Sequence, residues 1–115
     1  MIASLPILFF SYGTLQDPQI QRSVWGREVS GRPDALLGYK SIFLPSTDAA
    51  WSRLTGYAEY PALVADKTSY DPVRGTVYEI SAKELDAADA YEGNQYRRVE
   101  VVLQSGTKAW TYIKA

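Results

Sequence analysis

SAKELDAADAYEG, residues 81–93, reads as a helix that carries one carboxylate, Glu92, toward an interior such a group should avoid. Ser81 with Glu84 three residues later has the form of a capping box, so the helix starts there. At helical spacing Leu85, Ala88, Asp89 and Glu92 fall at i, i+3, i+4 and i+7, a face that begins apolar and ends acidic. Glu92 therefore shares a side with the core-facing Leu85. Gly93 is placed to end the helix, which leaves Glu92 in the last turn, where unpaired carbonyls disfavour a carboxylate by a few tenths to ~1 kcal/mol. Burial and dipole both push its pKa up. A glutamate so placed either carries a partner, Arg97 or Arg98 just downstream, or is kept as an acid/base.

Residues 73–80 (VRGTVYEI) read as a strand leading straight into this helix, and residues 96–103 as another after it, with Val99, Val101 and Leu103 on one face. Ser105-Gly106 turns that strand into residues 109–113, an antiparallel hairpin. Near the start, residues 7–12 (ILFFSY) are a short apolar run that suits a central strand buried on both faces. The apolar opening MIASLPILFF lacks a basic leader region and reads as part of that strand. After it, Tyr12-Gly13-Thr14-Leu15 is a tight turn, and Asp17-Pro18 opens a helix over residues 18–24 with Asp as N-cap and Pro at N1. A turn of that kind lets backbone N–H groups converge on an anion. Gly31-Arg32-Pro33 reads as a break, residues 35–44 as a strand ended by Pro45, residues 60–64 as a short strand and 66–72 as a polar turn. Residues 48–60 show no firm period and read as a loop with at most a weak strand. Five or six strands and two helices that do not alternate give an α+β class, a small mixed β-barrel with two flanking helices.

A length of 115 residues suits a single domain over 1–115. Such a chain buries about 65% of its unfolded surface, enough for a core. The net charge is −1 and the twelve Lys and Arg are scattered, so nothing forms a basic stripe for nucleic acid. No stretch is long enough to span a bilayer, and the lack of a targeting segment points to the cytoplasm. Cysteine and histidine are both absent. That excludes disulfides, thiol catalysis, zinc sites built on those residues, and Ser-His or Cys-His nucleophile pairs. Carboxylates, Lys, Tyr and hydroxyls remain as proton carriers.

Four segments together resemble the gamma-glutamylcyclotransferase-like superfamily: Tyr12-Gly13-Thr14-Leu15 ending an apolar strand, Val73-Arg74-Gly75-Thr76-Val77-Tyr78, Asp89-Ala90-Tyr91-Glu92-Gly93, and Tyr96-Arg97-Arg98. Any one is a weak signal; their succession in order is fairly specific. The resemblance implies a compact mixed β-barrel whose Tyr12, Gly13, Thr14 and Leu15 offer main-chain donors to the carboxylate of a γ-glutamyl group. It implies Glu92 as the catalytic glutamate. The implied reaction closes a γ-glutamyl compound into 5-oxoproline and expels an amine, with no cofactor, metal or enzyme nucleophile. Its partner is a small γ-glutamyl molecule, and which amine leaves stays open. No family mark falls in residues 48–60, and longer members carry a tail after the position of Ala115. The rival reading is a non-catalytic module holding a small carboxylate ligand in the same cavity. Asp89 reads as a helix-end hydrogen-bond acceptor, and Tyr96, Trp110 and Tyr112 as barrel wall.

Overall fold

The computed structural model describes residues 6–115. The reading of residues 1–5 as part of the first strand lies outside them. The order of elements is β1 (Ile7–Ser11), a 3-10 turn (Thr14–Gln16), α1 (Pro18–Trp25), β2 (Gly31–Leu36), β3 (Tyr39–Pro45), α2 (Ala49–Thr55) and β4 (Glu59–Ala65). Then come β5 (Val73–Ile80), α3 (Ala82–Glu92), a second 3-10 turn (Gly93–Gln95), β6 (Tyr96–Val102) and β7 (Lys108–Lys114).

The α+β class stands, with seven strands and three α-helices among the described residues in place of five or six and two. The strands do not close into one barrel. They form a five-stranded sheet in the order β2-β5-β1-β7-β6 and a separate β3-β4 hairpin. Strand β1 lies at the centre, antiparallel to β5 with Phe9 opposite Tyr78, and parallel to β7 with Phe9 opposite Trp110. It is buried on both faces, as its unbroken apolar run requires. Phe9 packs with Leu15, Trp25, Leu85 and Ala88 beneath α1 and α3, while its neighbour Phe10 packs with Leu36, Leu63 and Val77 on the other side. Each such side chain contributes about 1.5–3 kcal/mol by leaving water.

Two segments depart from what their sequence suggests. Gly31-Arg32-Pro33 is not a break but the start of β2, paired antiparallel with β5. Proline is tolerated there because β2 is the sheet's edge, where its missing N–H faces no partner strand. Chain reversal comes later, at Leu37-Gly38, so the strand expected over 35–44 is two strands in different sheets. Residues 48–60 hold α2, capped by the Asp48 side chain accepting from the Trp51 N–H at 2.9 Å and ended by Gly56 in the left-handed conformation.

Helix α3 starts as the sequence dictates. The Ser81 hydroxyl accepts the Glu84 N–H at 3.1 Å while Glu84 Oε1 accepts the Ser81 N–H at 3.0 Å. The same Glu84 takes a bidentate grip from Arg27 at 2.8 and 2.9 Å, and its carbonyl accepts the Trp25 indole N–H at 3.0 Å, which locks α3 to α1. Ser81→Ala should therefore cost about 1 kcal/mol in urea unfolding, with no change in the denaturant slope. A loss under 0.3 kcal/mol would show that Arg27 and Trp25 hold the helix start unaided.

Candidate active site

Elements distant in the chain converge on a cavity beyond the end of β1. Its wall is built by Ser11 and the loop Tyr12–Gly13–Thr14, by Trp51 of α2, Pro61 of β4, Glu92 at the end of α3, Tyr96 of β6, and Thr111 and Tyr112 of β7. Its empty space, open solvent at the mouth included, is ≈ 320 Å³, of which ≈ 20 Å³ can take the centre of a water, room for one or two. A larger pocket of ≈ 1110 Å³ lies outside it and shares Tyr12, Gly13, Thr14 and Pro61.

Glu92 reaches this cavity because Ala88 and Leu85, one and two turns back on the same face, are buried in the core. Gly93, at φ 70°, then turns the chain out of the helix, a conformation that favours glycine. Neither arginine named as a partner pairs with Glu92. Arg97 is exposed, and Arg98 pairs with Asp89 at 3.1 Å while stacking 5.0 Å above Trp110. Among the described residues no hydrogen bond or ion pair reaches the Glu92 carboxyl. Glu92 keeps some accessible surface because it borders the cavity. Protein surrounds it so fully, however, that lost hydration pushes its pKa up to about 8.

The tyrosines around it spend their hydroxyls elsewhere. Tyr12 donates to the Tyr112 carbonyl at 2.6 Å, Tyr96 to the Pro61 carbonyl, and Tyr112 to Asp89 at 2.6 Å; Tyr91 is bonded to the Thr14 hydroxyl. Burial and the nearby Glu92 charge raise the pKa of Tyr12, Tyr91, Tyr96 and Tyr112, so all four stay neutral beside the carboxyl. The Tyr91–Thr14 bond also fastens the end of α3 to the loop after β1.

Within that loop the Gln16 and Asp17 amides close the 3-10 turn onto the Gly13 and Thr14 carbonyls at 3.2 and 2.9 Å. The Thr14 and Leu15 amides, first-turn donors, have no acceptor among the described residues. Leu15 contributes only its backbone, since its side chain is fully buried in the core. The Gly13 conformation is not left-handed, so glycine here gives space and not a turn: a Cβ would meet Pro61 Cγ at 3.6 Å. The cavity thus brings Tyr12, Gly13, Thr14 and Glu92 together. Trp51, Pro61 and Thr111 were not legible as wall residues. The one signal for Trp51 was a capped helix hidden in residues 48–60. No three carboxylates come together among the described residues as a metal site would need. No described helix is long and apolar enough to cross a membrane.

A family model described as gamma-glutamyl cyclotransferase, AIG2-like, matches residues 9–115, which takes in the loop, α3 and every strand pair of the cavity wall. The chain belongs to the AIG2-like gamma-glutamyl cyclotransferase family. Solved structures agree in fold. A solution structure from Arabidopsis thaliana is 24% identical, with TM-score 0.73 over 98% of this chain and 71% of its own. A second from Arabidopsis thaliana is 25% identical, with TM-score 0.75 over 99% and 65%. A structure named gamma-glutamyl cyclotransferase is 18% identical, with TM-score 0.75 over 96% and 67%. The chain thus spans about two thirds of the length of the structures it resembles. Among curated proteins no sequence matches it. Membership of the gamma-glutamyl cyclotransferase family and the shared fold support a cyclotransferase-like function of the corresponding enzyme class.

Proposed function

We propose that this protein converts a γ-glutamyl amide into 5-oxoproline and a free amine, with Glu92 carrying the proton. The observation that supports this best is an unpaired carboxyl, pushed up to about 8, on the wall of a cavity shared with Tyr12, Gly13 and Thr14. In the reaction the substrate's α-amine attacks its own γ-carbonyl. A C–N bond forms, the amide C–N bond breaks, and the proton released from the α-amine ends on the departing amine. The nucleophile is already tethered to the carbonyl, so holding the substrate folded supplies much of the rate. What the protein adds is proton transfer. An ordinary glutamate near 4.3 is a poor base toward an amine near 8, and the raised Glu92 narrows that gap.

The Thr14 and Leu15 amides would hold the substrate's α-carboxylate, with Gly13 leaving room for it beside Pro61. The glutamyl end enters the inner cavity and the amine stays in the outer pocket. Space for one or two water centres is less than a glutamyl end needs, so binding widens the inner cavity, a side-chain adjustment common on ligand entry.

The reading is tested by 5-oxoproline release from a panel of γ-glutamyl amides, followed by mass spectrometry. A pH profile adds a sharper constraint. The base form of Glu92 and the neutral form of the substrate amine both become more abundant as pH rises. Thus kcat/KM should climb between pH 6 and 8 and level off above about 8. No 5-oxoproline above the uncatalysed rate, or a profile that falls with rising pH over that range, would overturn the proposal.

A further inference from the structure

From the outer edge of the five-stranded sheet we infer that two copies of this chain associate through β6, strand against strand about a two-fold axis at Val99, so that one sheet runs through the pair. The inference does not depend on the ring-closure reading. Strand β6 ends the order β2-β5-β1-β7-β6 and pairs with β7 alone among the described residues. Two bonds at its ends fix which backbone groups are left over. The Gln95 carbonyl accepts the Ala115 N–H at 3.2 Å, and the Leu103 N–H donates to the Thr107 carbonyl at 2.8 Å. Bonded and non-bonded pairs alternate along an antiparallel ladder, so Arg97, Val99 and Val101 spend their backbone groups on β7 while Arg98, Glu100 and Val102 turn theirs outward. The Tyr96 N–H closes the second 3-10 turn onto the Gly93 carbonyl, which leaves only the Tyr96 carbonyl facing out.

A sheet edge is ordinarily blunted by proline, lysine or a bulge. The opposite edge, β2, carries Pro33. Strand β6 (YRRVEVV) has neither proline nor lysine, keeps an unbroken register with β7, and ends on Val102, which is 59% exposed. Arg98 does not screen the edge, because it lies over Trp110 and is held by Asp89. Charge selects the occupant and the register. Antiparallel pairing of β6 with itself about Val99 gives each outward N–H of Arg98, Glu100 and Val102 a carbonyl to meet. It also sets Arg98 opposite Glu100 of the partner subunit, and Glu100 opposite Arg98 of the partner subunit. Glu100 has no ion pair among the described residues, and the Arg98 guanidinium has donors beyond the one that Asp89 takes. Sliding the pairing to the next bonded register in either direction would place Arg98 opposite its own copy or Glu100 opposite its own, and like charges directly across a strand pair are destabilising. A contact in which the same strand serves both partners closes on itself and stops at two chains.

Sedimentation velocity of the full chain should show a monomer–dimer equilibrium with a Kd on the order of 10–100 µM, the range of a short strand contact smaller than a standard interface. Glu100→Arg, at an exposed position, puts arginine opposite arginine on both sides of the axis and should raise that Kd about tenfold or more. Cross-linking tests the register. The chain has no cysteine, so Val99→Cys introduces a single thiol. Two such residues at the axis form a non-hydrogen-bonded pair with Cα atoms about 4.5 Å apart, within reach of a disulfide. Mild oxidation should therefore link Val99→Cys chains in pairs, and Val102→Cys chains, whose thiols lie far from the axis, at least about tenfold more slowly. A chain that stays monomeric up to about 0.5 mM would overturn the inference. So would a Kd unmoved by Glu100→Arg, or Val102→Cys chains linking as fast as Val99→Cys chains.

Discussion

Replacing Glu92 by glutamine should lower turnover of a γ-glutamyl amide at least 10²-fold and, in the same protein, raise stability at alkaline pH. The first effect follows because glutamine fills the same space but cannot take the proton, and transfers of this kind are usually worth 10²–10⁴-fold. The second follows from the position of the carboxyl. Its pKa is about 8 in the folded chain against 4.5 when solvated, so the folded state holds the proton more tightly. Below pH 4.5 both states are protonated and the group contributes its full share of stability. As pH rises toward 8 the unfolded chain gives up the proton first, and that stability drains away. The total lost is on the order of 3–5 kcal/mol. Glutamine has no proton to lose, so the difference between variant and wild type should grow from pH 5 to pH 8.5. Urea unfolding at several pH values, with 5-oxoproline release assayed alongside, measures both. Glu84 works in the opposite window: Arg27 holds it down to about 2, and its contribution is lost only as pH falls from 4.5 toward 2. Turnover surviving within a factor of about ten would remove Glu92 from the chemistry. A pH-independent stability difference would mean that its carboxyl is well hydrated.

Gly75→Ala, the addition of one methyl group, should cost about 3 kcal/mol or more. A Cβ at this position would sit 2.2 Å from the Ser11 carbonyl oxygen and 2.7 Å from the Phe10 ring. The ring is fully buried, and the oxygen belongs to the central strand, so neither has anywhere to go. Strand β5 must move away from β1 just where β1 delivers Ser11 into the loop at Tyr12. A displacement of about 1 Å in a positioning loop can cost 10²-fold in rate. The variant should therefore lose more activity than its remaining folded fraction explains. Denaturant titration with kcat/KM measured well below the transition decides the matter. A loss under 1 kcal/mol would mean that the two strands are not packed this closely.

The sequence carried some of this and not the rest. Helix α3 was legible because Ser81, Glu84, Leu85, Ala88 and Gly93 all state the same thing at the right intervals, and Glu92 at its end follows from their spacing. Strand β1 was legible from its unbroken apolar run, and the β6–β7 hairpin from its turn and alternation. Helix α2 was not: Ala49–Thr55 offers only Trp51 and Leu54 as large apolar residues, too few for a period, although Asp48 and Gly56 marked its ends. Strand β2 was missed because glycine and proline are breakers by local rules, and only its edge position lifts the objection. Local pattern offered Arg98 to Glu92, and Asp89 takes it instead. The choice came from β6 and β7, which set Trp110 under the guanidinium, and from α3, which holds Asp89 beside it.

The parallel contact of β1 with β7 has a consequence for biosynthesis. Thr111 donates its hydroxyl to the Phe10 carbonyl at 2.8 Å, and Tyr12 reaches the Tyr112 carbonyl, so the first described strand is completed by the seventh. On the ribosome the loop at Tyr12 emerges early and Glu92 much later, but the hollow between them has no far side until β7 docks. A nascent chain halted before that strand lacks the wall that Thr111 and Tyr112 supply, and with it a place to bind a ligand.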